Sequence, residues 1–199
     1  MKTSLTLTLG IVSLAALAAC STQRVATVTT PETVAVVPAP STTMVMGATP
    51  AVQFNAADTH FIAVAAGAGM YEVEAARLAL TKASNAQVRG YAQMLLDQHT
   101  AANQQLMAMV TSKGHKVAPG MPAALQQKIA TLNRASGADF DHEFVRTTGV
   151  ADHMATIAEF ERSRSSVADP DLRAFIDRTL PTLRTHLQQA QDLAGRMAG

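Results

Sequence analysis

Met94-Leu95-Leu96-Asp97-Gln98-His99-Thr100-Ala101-Ala102-Asn103-Gln104-Gln105-Leu106 reads as the middle of a long helix, with a histidine where a leucine is expected. If Val88 to Lys113 is one α-helix, each residue turns the chain by about 100°. On that wheel Val88, Ala92, Leu95, Leu106 and Val110 all fall within about 40° of His99, and Asp97 lies about 160° away, facing water. A stripe of this kind has to be buried against other helices. The imidazole set into it is either a hydrogen-bonded core group or a ligand whose partners lie on those neighbours.

The chain outside this stretch is written in the same alphabet. Hydrophobic residues make up 48% of 199, there is no Trp, and only two Tyr and six Phe occur. That composition favours helices over sheets, which draw on β-branched and aromatic residues. A formal charge of +1 and the lack of any Lys/Arg run argue against nucleic acid as a partner.

A first helix is expected from about Ala56 to Ala83, with Phe61, Ile62, Ala65, Gly69, Val73, Ala76 and Leu80 on one face. Gly67 and Gly69 cost helix propensity and so point to close approach of a neighbour. Glu72 lies inside this stripe, whereas Glu74 faces water. A lone acid there has to be paired, protonated or metal-bound. Ser84 or Asn85 caps the second helix, which ends at about Ser112, with Gly114 in a left-handed cap. After a link with Pro119, Gly120 and Pro122, a short helix over Ala123 to Ala135 can cross between the bundle ends.

The third long helix is expected over Asp139 to Ser165, with Phe140, Phe144, Ala151, Met154, Ile157 and Ala158 inward and His153 at the edge of the arc. Asp169-Pro170-Asp171 then opens a fourth, to Met197, with Leu172, Ile176, Leu180, Leu183, Leu187, Ala190 and Ala194 inward. His186 lies just inside the edge of that stripe, and Pro181 should kink the helix. The architecture this implies is all-α: an antiparallel four-helix bundle with a short extra crossing helix between the second and third long helices, occupying residues 54–199.

The N-terminus has another character. Met1-Lys2, an apolar run over Leu5 to Ala19 and the small residues before Cys20 describe a signal peptide over residues 1–19. Leu17-Ala18-Ala19-Cys20 resembles the bacterial lipobox, making Cys20, the sole cysteine, the expected lipidation site. Ser21 in place of Asp after it implies outer-membrane sorting, with the domain facing the periplasm. Residues 20–53, rich in Thr, Val, Ala and Pro, read as a disordered tether. The membrane, through lipidated Cys20, is the one partner this reading names.

Axial counting then gives His99 its neighbours. At about 1.5 Å per residue from turns near 84 and 168, Glu72, His99, His153 and His186 stand roughly 18, 22, 22 and 27 Å from the same bundle end. One carboxylate and three imidazoles, one per helix, form a candidate site for Zn, Fe, Mn or Cu, or for another small ligand. The competing reading is a structural polar core, with Glu72 and His99 as a buried ion pair that fixes register. A two-iron centre needs Glu-x-x-His on two helices. The residues three before His99, His153 and His186 are Leu96, Val150 and Leu183. His60 and Asp97 point outward, His115 is in a link, and His142, one wheel position from His153, is held in reserve. The ten Met residues suggest soft-metal contacts, although methionines at helical spacing are more often core filler. No phosphate loop or nucleophilic triad emerges, so no catalytic residue is assigned.

Four stretches carry a resemblance: Gly69-Met70-Tyr71-Glu72-Val73-Glu74, Met94 to Asn103, Ser136-Gly137-Ala138-Asp139-Phe140-Asp141, and Leu180-Pro181-Thr182-Leu183-Arg184-Thr185-His186-Leu187. Over about Asn55 to Ala194 the chain resembles the domain-of-unknown-function 4142 family, exported bacterial proteins with a ferritin-like bundle. The resemblance implies that fold and an envelope location. It implies no reaction, and it leaves a structural or stress-adaptation role beside metal binding.

Overall fold

The computed structural model describes residues 53–198. The expected signal peptide, Cys20 and all of the tether except Gln53 lie outside them. Among the described residues the elements are α1 (Ala56–Lys82), α2 (Ala86–Ser112), α3 (Ala123–Leu132), α4 (Gly137–Phe144), a π-helical segment (Val145–Asp152), α5 (His153–Ser166) and α6 (Pro170–Met197). The chain is all-helical there, with one isolated bridge between Ala83 and Gly137 in place of any sheet. None of these helices is long and apolar enough to cross a membrane.

The helix ends follow from local chemistry. Asn55 and Asp58 form a reciprocal capping box at the start of α1. Asn85 Oδ1 accepts from the Gln87 N–H at the start of α2. At the end of α2, Gly114 takes φ 79°, and the N–H groups of Gly114 and His115 return to the carbonyls of Thr111 and Val110. That is a Schellman closure, which glycine enters without a Cβ clash. Asp169 caps α6, accepting from the Asp171 and Leu172 N–H groups, with Pro170 at the first helical position.

The long helices form two hairpins, α1 with α2 and α4–α5 with α6, and these pack on one another through α1 with α5 and α2 with α6. The turn of each hairpin is clasped by an aspartate of the other. Asp58 accepts from the N–H groups of Ala168 and Asp169 at 2.8 and 3.2 Å. Asp141 accepts from those of Ser84 and Asn85 at 3.1 and 2.9 Å, and from the Ser84 hydroxyl. Arg89 and Arg173 add the same pattern, each donating to two carbonyls of its own turn. Two short likenesses write this symmetry into the chain: Asp58-x-x-Phe61 with Asp141-x-x-Phe144, and Asn85 four before Arg89 with Asp169 four before Arg173.

Two apolar clusters fill the interior, one around Tyr71, Leu95, Phe140 and Phe144, the other around Phe61, Leu106, Phe160 and Phe175. Where the two clusters meet, every long helix carries a buried polar residue. These are Glu72 on α1, His99 on α2, Thr148 and His153 on the third run, and His186 on α6. The core is therefore two oily halves with a polar layer between them.

The third long helix corrects the sequence expectation. Helical-wheel counting at a constant angle places Ala151 and Met154 inward, yet Ala151 is exposed and Met154 is 54% exposed. The π-helical segment explains the shift, because its wider turns retard the phase of everything after it. His153, expected at the edge of the arc, is thereby carried to full burial at 1% exposure. Small residues set the spacing of the neighbours: a Cβ on Gly69 would meet the Asn103 side chain, and one on Gly149 would lie 2.9 Å from Ala190 Cβ.

Candidate metal centre

His99, His153 and His186 come from three different helices, and one ring nitrogen of each lies within 4.8 Å of the others. Ring centroids are 5.6 Å apart for His99 and His153, 5.1 Å for His99 and His186, and 5.2 Å for His153 and His186. All three are buried. Metal–nitrogen bonds of about 2.0–2.1 Å in tetrahedral geometry put ligand nitrogens about 3.3 Å apart. His153 Nε2 and His186 Nδ1, at 3.2 Å, already stand at that spacing. The third nitrogen would come from His99, whose Nε2 has no hydrogen-bond partner.

The other nitrogens of two rings are committed elsewhere. His153 Nδ1 lies 2.8 Å from the Thr148 carbonyl oxygen, which can only accept, so the proton is on Nδ1 and the Nε2 lone pair is free. That carbonyl belongs to the π-helical segment, so the distortion that turns His153 inward also supplies the acceptor that fixes its tautomer. His186 Nε2 lies 2.9 Å from Gln98 Oε1 and donates to it, which leaves the Nδ1 lone pair facing His153 Nε2. Two lone pairs at this distance repel unless a cation stands between them. Without one, turning over the Gln98 amide and moving the proton to His186 Nδ1 relieves the conflict. Metal-binding histidines characteristically donate their second nitrogen to a carboxylate, a backbone carbonyl or water, as His153 does to Thr148.

Burial sets the charge state. It pushes the His99 ring well below its usual range, helped by the neighbouring His153 and His186. Burial also lowers His153, against the opposing hydrogen bond to Thr148, and it lowers His186 to about 4. The three imidazoles are neutral at physiological pH, the form a metal requires.

Glu72 stands beside the cluster. Its Oε1 is 3.8 Å from His153 Nδ1, the nitrogen that faces away from His186, and its Oε2 is buried without a partner. The carboxyl is held well above the usual carboxylate range, first by burial and then by the charge of Asp152. The four candidate residues thus share one layer, but three imidazoles converge and the carboxyl sits behind one of them. The imidazole beside Glu72 is that of His153, both groups held neutral by burial, where the sequence reading paired Glu72 with His99 as ions. His142 is exposed, as are His60 and Asp97. Thr148 and Gln98, which fix the ring tautomers, escaped sequence reasoning. Gln98 adjoins His99 but faces outward on the wheel, and its bond to His186 exists only once α2 meets α6.

The set does not fit a two-iron centre, because no carboxylate bridges the histidines and no Glu-x-x-His occurs around them. It fits one ion.

Comparison with known proteins finds a family described as Domain of unknown function (DUF4142), whose sequence model matches residues 43–193. The match spans well over half of the chain, and the chain belongs to that family. No curated protein and no solved structure matches it.

Proposed function

We propose that this member of the DUF4142 family is a ferritin-like four-helix bundle that binds a single divalent transition-metal ion through His99, His153 and His186. One observation carries the reading: His153 Nε2 and His186 Nδ1 stand 3.2 Å apart, the spacing of two ligands on one ion, beside a third buried and unpartnered imidazole nitrogen. Neutral imidazoles suit Zn, Cu and Fe(II) better than Mn, which prefers oxygen donors. Glu72 supplies a nearby carboxyl to the same layer. In the cell the bundle is held by lipid on Cys20, with residues 20–53 as its tether, at the outer membrane and facing the periplasm. Palmitate labelling that persists in Cys20→Ser would remove that part of the proposal.

The test is elemental analysis of protein purified without chelators or a metal-affinity tag, paired with thermal melts in added Zn, Cu, Fe(II) or Mn. About one equivalent of metal and a rise in Tm are expected, both lost in His153→Ala and His186→Ala. Absence of stoichiometric metal together with no thermal shift would leave a structural polar layer as the better account. That second reading has support of its own, because Tyr71 with Thr148 and Tyr91 with the His186 carbonyl also satisfy buried polar atoms.

A further inference from the structure

Three imidazoles do not complete the coordination of a Zn-class ion. Such ions take four ligands, and sites with three protein ligands characteristically hold solvent or substrate in the fourth position. A fourth protein ligand is not in place, since Glu72 lies outside the set of converging atoms and approaches His153 from its Nδ1 side. What adjoins the histidines is a pocket of about 30 Å³, with His99, His153 and Glu72 in its wall. Leu106, Phe160 and Leu183 make it largely apolar, and Asn103, Thr156 and Thr179 give it polar points. Two wall residues carry buried atoms with no hydrogen-bond partner, His99 Nε2 and Glu72 Oε2. One water needs about 10–15 Å³ of such space, so the pocket admits roughly two or three water-sized atoms.

We propose that the ion held by His99, His153 and His186 keeps an open coordination position in this pocket, and that the position takes a water molecule or, in its place, a small anion of two or three atoms. The inference rests on the metal reading above and adds a ligand class to it. The ligand bonds to the ion at one end and finds the Glu72 carboxyl within the same pocket. Size is the selection rule. Organic anions with a ring or a branched chain are excluded by the aromatic and leucine side chains of the wall.

Co(II) gives the experiment a visible spectrum. The full chain is loaded with Co(II) and titrated with azide, and separately with benzoate. Azide is expected to shift the cobalt bands saturably, and benzoate at the same concentration to leave them unchanged. Ala102→Leu, which fills the pocket from a half-buried position on α2, should keep Co(II) uptake and weaken the azide response at least tenfold. Failure of the chain to take up Co(II) would overturn the metal reading, and this one with it. Cobalt bound but indifferent to azide would overturn the open position alone. An equal response to benzoate would overturn the enclosed, size-limited pocket. If Ala102→Leu does not fold, the contrast between azide and benzoate in the unmodified chain still decides.

Discussion

His153 Nε2 and His186 Nδ1 face each other at 3.2 Å, while the remaining nitrogen of each ring is bonded to a separate acceptor, the Thr148 carbonyl and the Gln98 amide oxygen. The pair belongs to two helices of one hairpin, but the acceptor that orients His186 comes from the other hairpin. Ring orientation at the centre therefore depends on how the hairpins dock.

Removing the Gln98 acceptor frees the His186 ring to rotate and to exchange tautomers. Gln98→Ala should weaken metal affinity about 10- to 100-fold with little effect on the fold, as losses of such supporting hydrogen bonds do. Competition against a chromophoric chelator measures it. Unchanged affinity would mean that Gln98 has no part in positioning the ring.

The metal-free protein should lose stability on mild acidification. His186 falls to about 4 in the folded chain against 6.5 for the free side chain. From pH about 6.5 downward the unfolded chain takes up a proton that the folded chain refuses until about pH 4. Stability is thus complete above that window and drains within it, by up to about 3 kcal/mol from this one buried ring. His99 and His153 shift in the same direction. Melts in chelator from pH 7.5 to 4.5 should show a steeper loss of Tm in the wild type than in His186→Leu; equal slopes would refute the assignment.

Glu72 has the opposite sign. Its folded value lies well above the ordinary 4.5, so its contribution is whole below that pH and is lost as pH rises toward the folded value. Gln cannot ionise and keeps the shape. Glu72→Gln should match the metal-free wild type near pH 4 and melt at a higher temperature than it at pH 8, with the difference widening as pH rises. A difference that does not grow with pH would show the carboxyl to be ionised in the fold.

The reciprocal clasps predict a matched pair of losses. Asp141→Ala strands the Ser84 and Asn85 N–H groups, and Asp58→Ala those of Ala168 and Asp169. Each should cost about 1–3 kcal/mol, because the stranded donors are for the most part only partly buried and recover some of the loss from water. Urea unfolding of each variant would show it, and a cost under 1 kcal/mol would mean that the clasp is ornamental.

Gly149→Ala isolates the π-helical segment. On propensity alone alanine stabilises a helix, yet here its Cβ would lie 2.9 Å from Ala190 Cβ, which cannot move without α6. A net loss of about 1–3 kcal/mol is expected from overpacking. Calorimetry that finds the variant more stable than wild type would show that α6 has room to retreat.

Much of this chain was legible as a line of letters. The stripe around His99, the capping residues Asn85 and Asp169 and the glycine at 114 determine the helices by themselves, because helical periodicity and end chemistry are local. The common level of Glu72, His99, His153 and His186 followed from counting rise per residue from two turns. The π-helical segment over Val145–Asp152 was not legible, since its composition is that of an ordinary helix and a wheel drawn at constant turn per residue has no place for the phase shift of wider turns. That shift decides that His153 is buried while Met154 is exposed. Tertiary contact alone decided which nitrogen of each ring is free, because the deciding partners, Thr148 for His153 and Gln98 for His186, are a distorted backbone carbonyl and an outward side chain of another helix. The sequence determined which side chains share the layer, and docking of the hairpins determined which of their atoms converge.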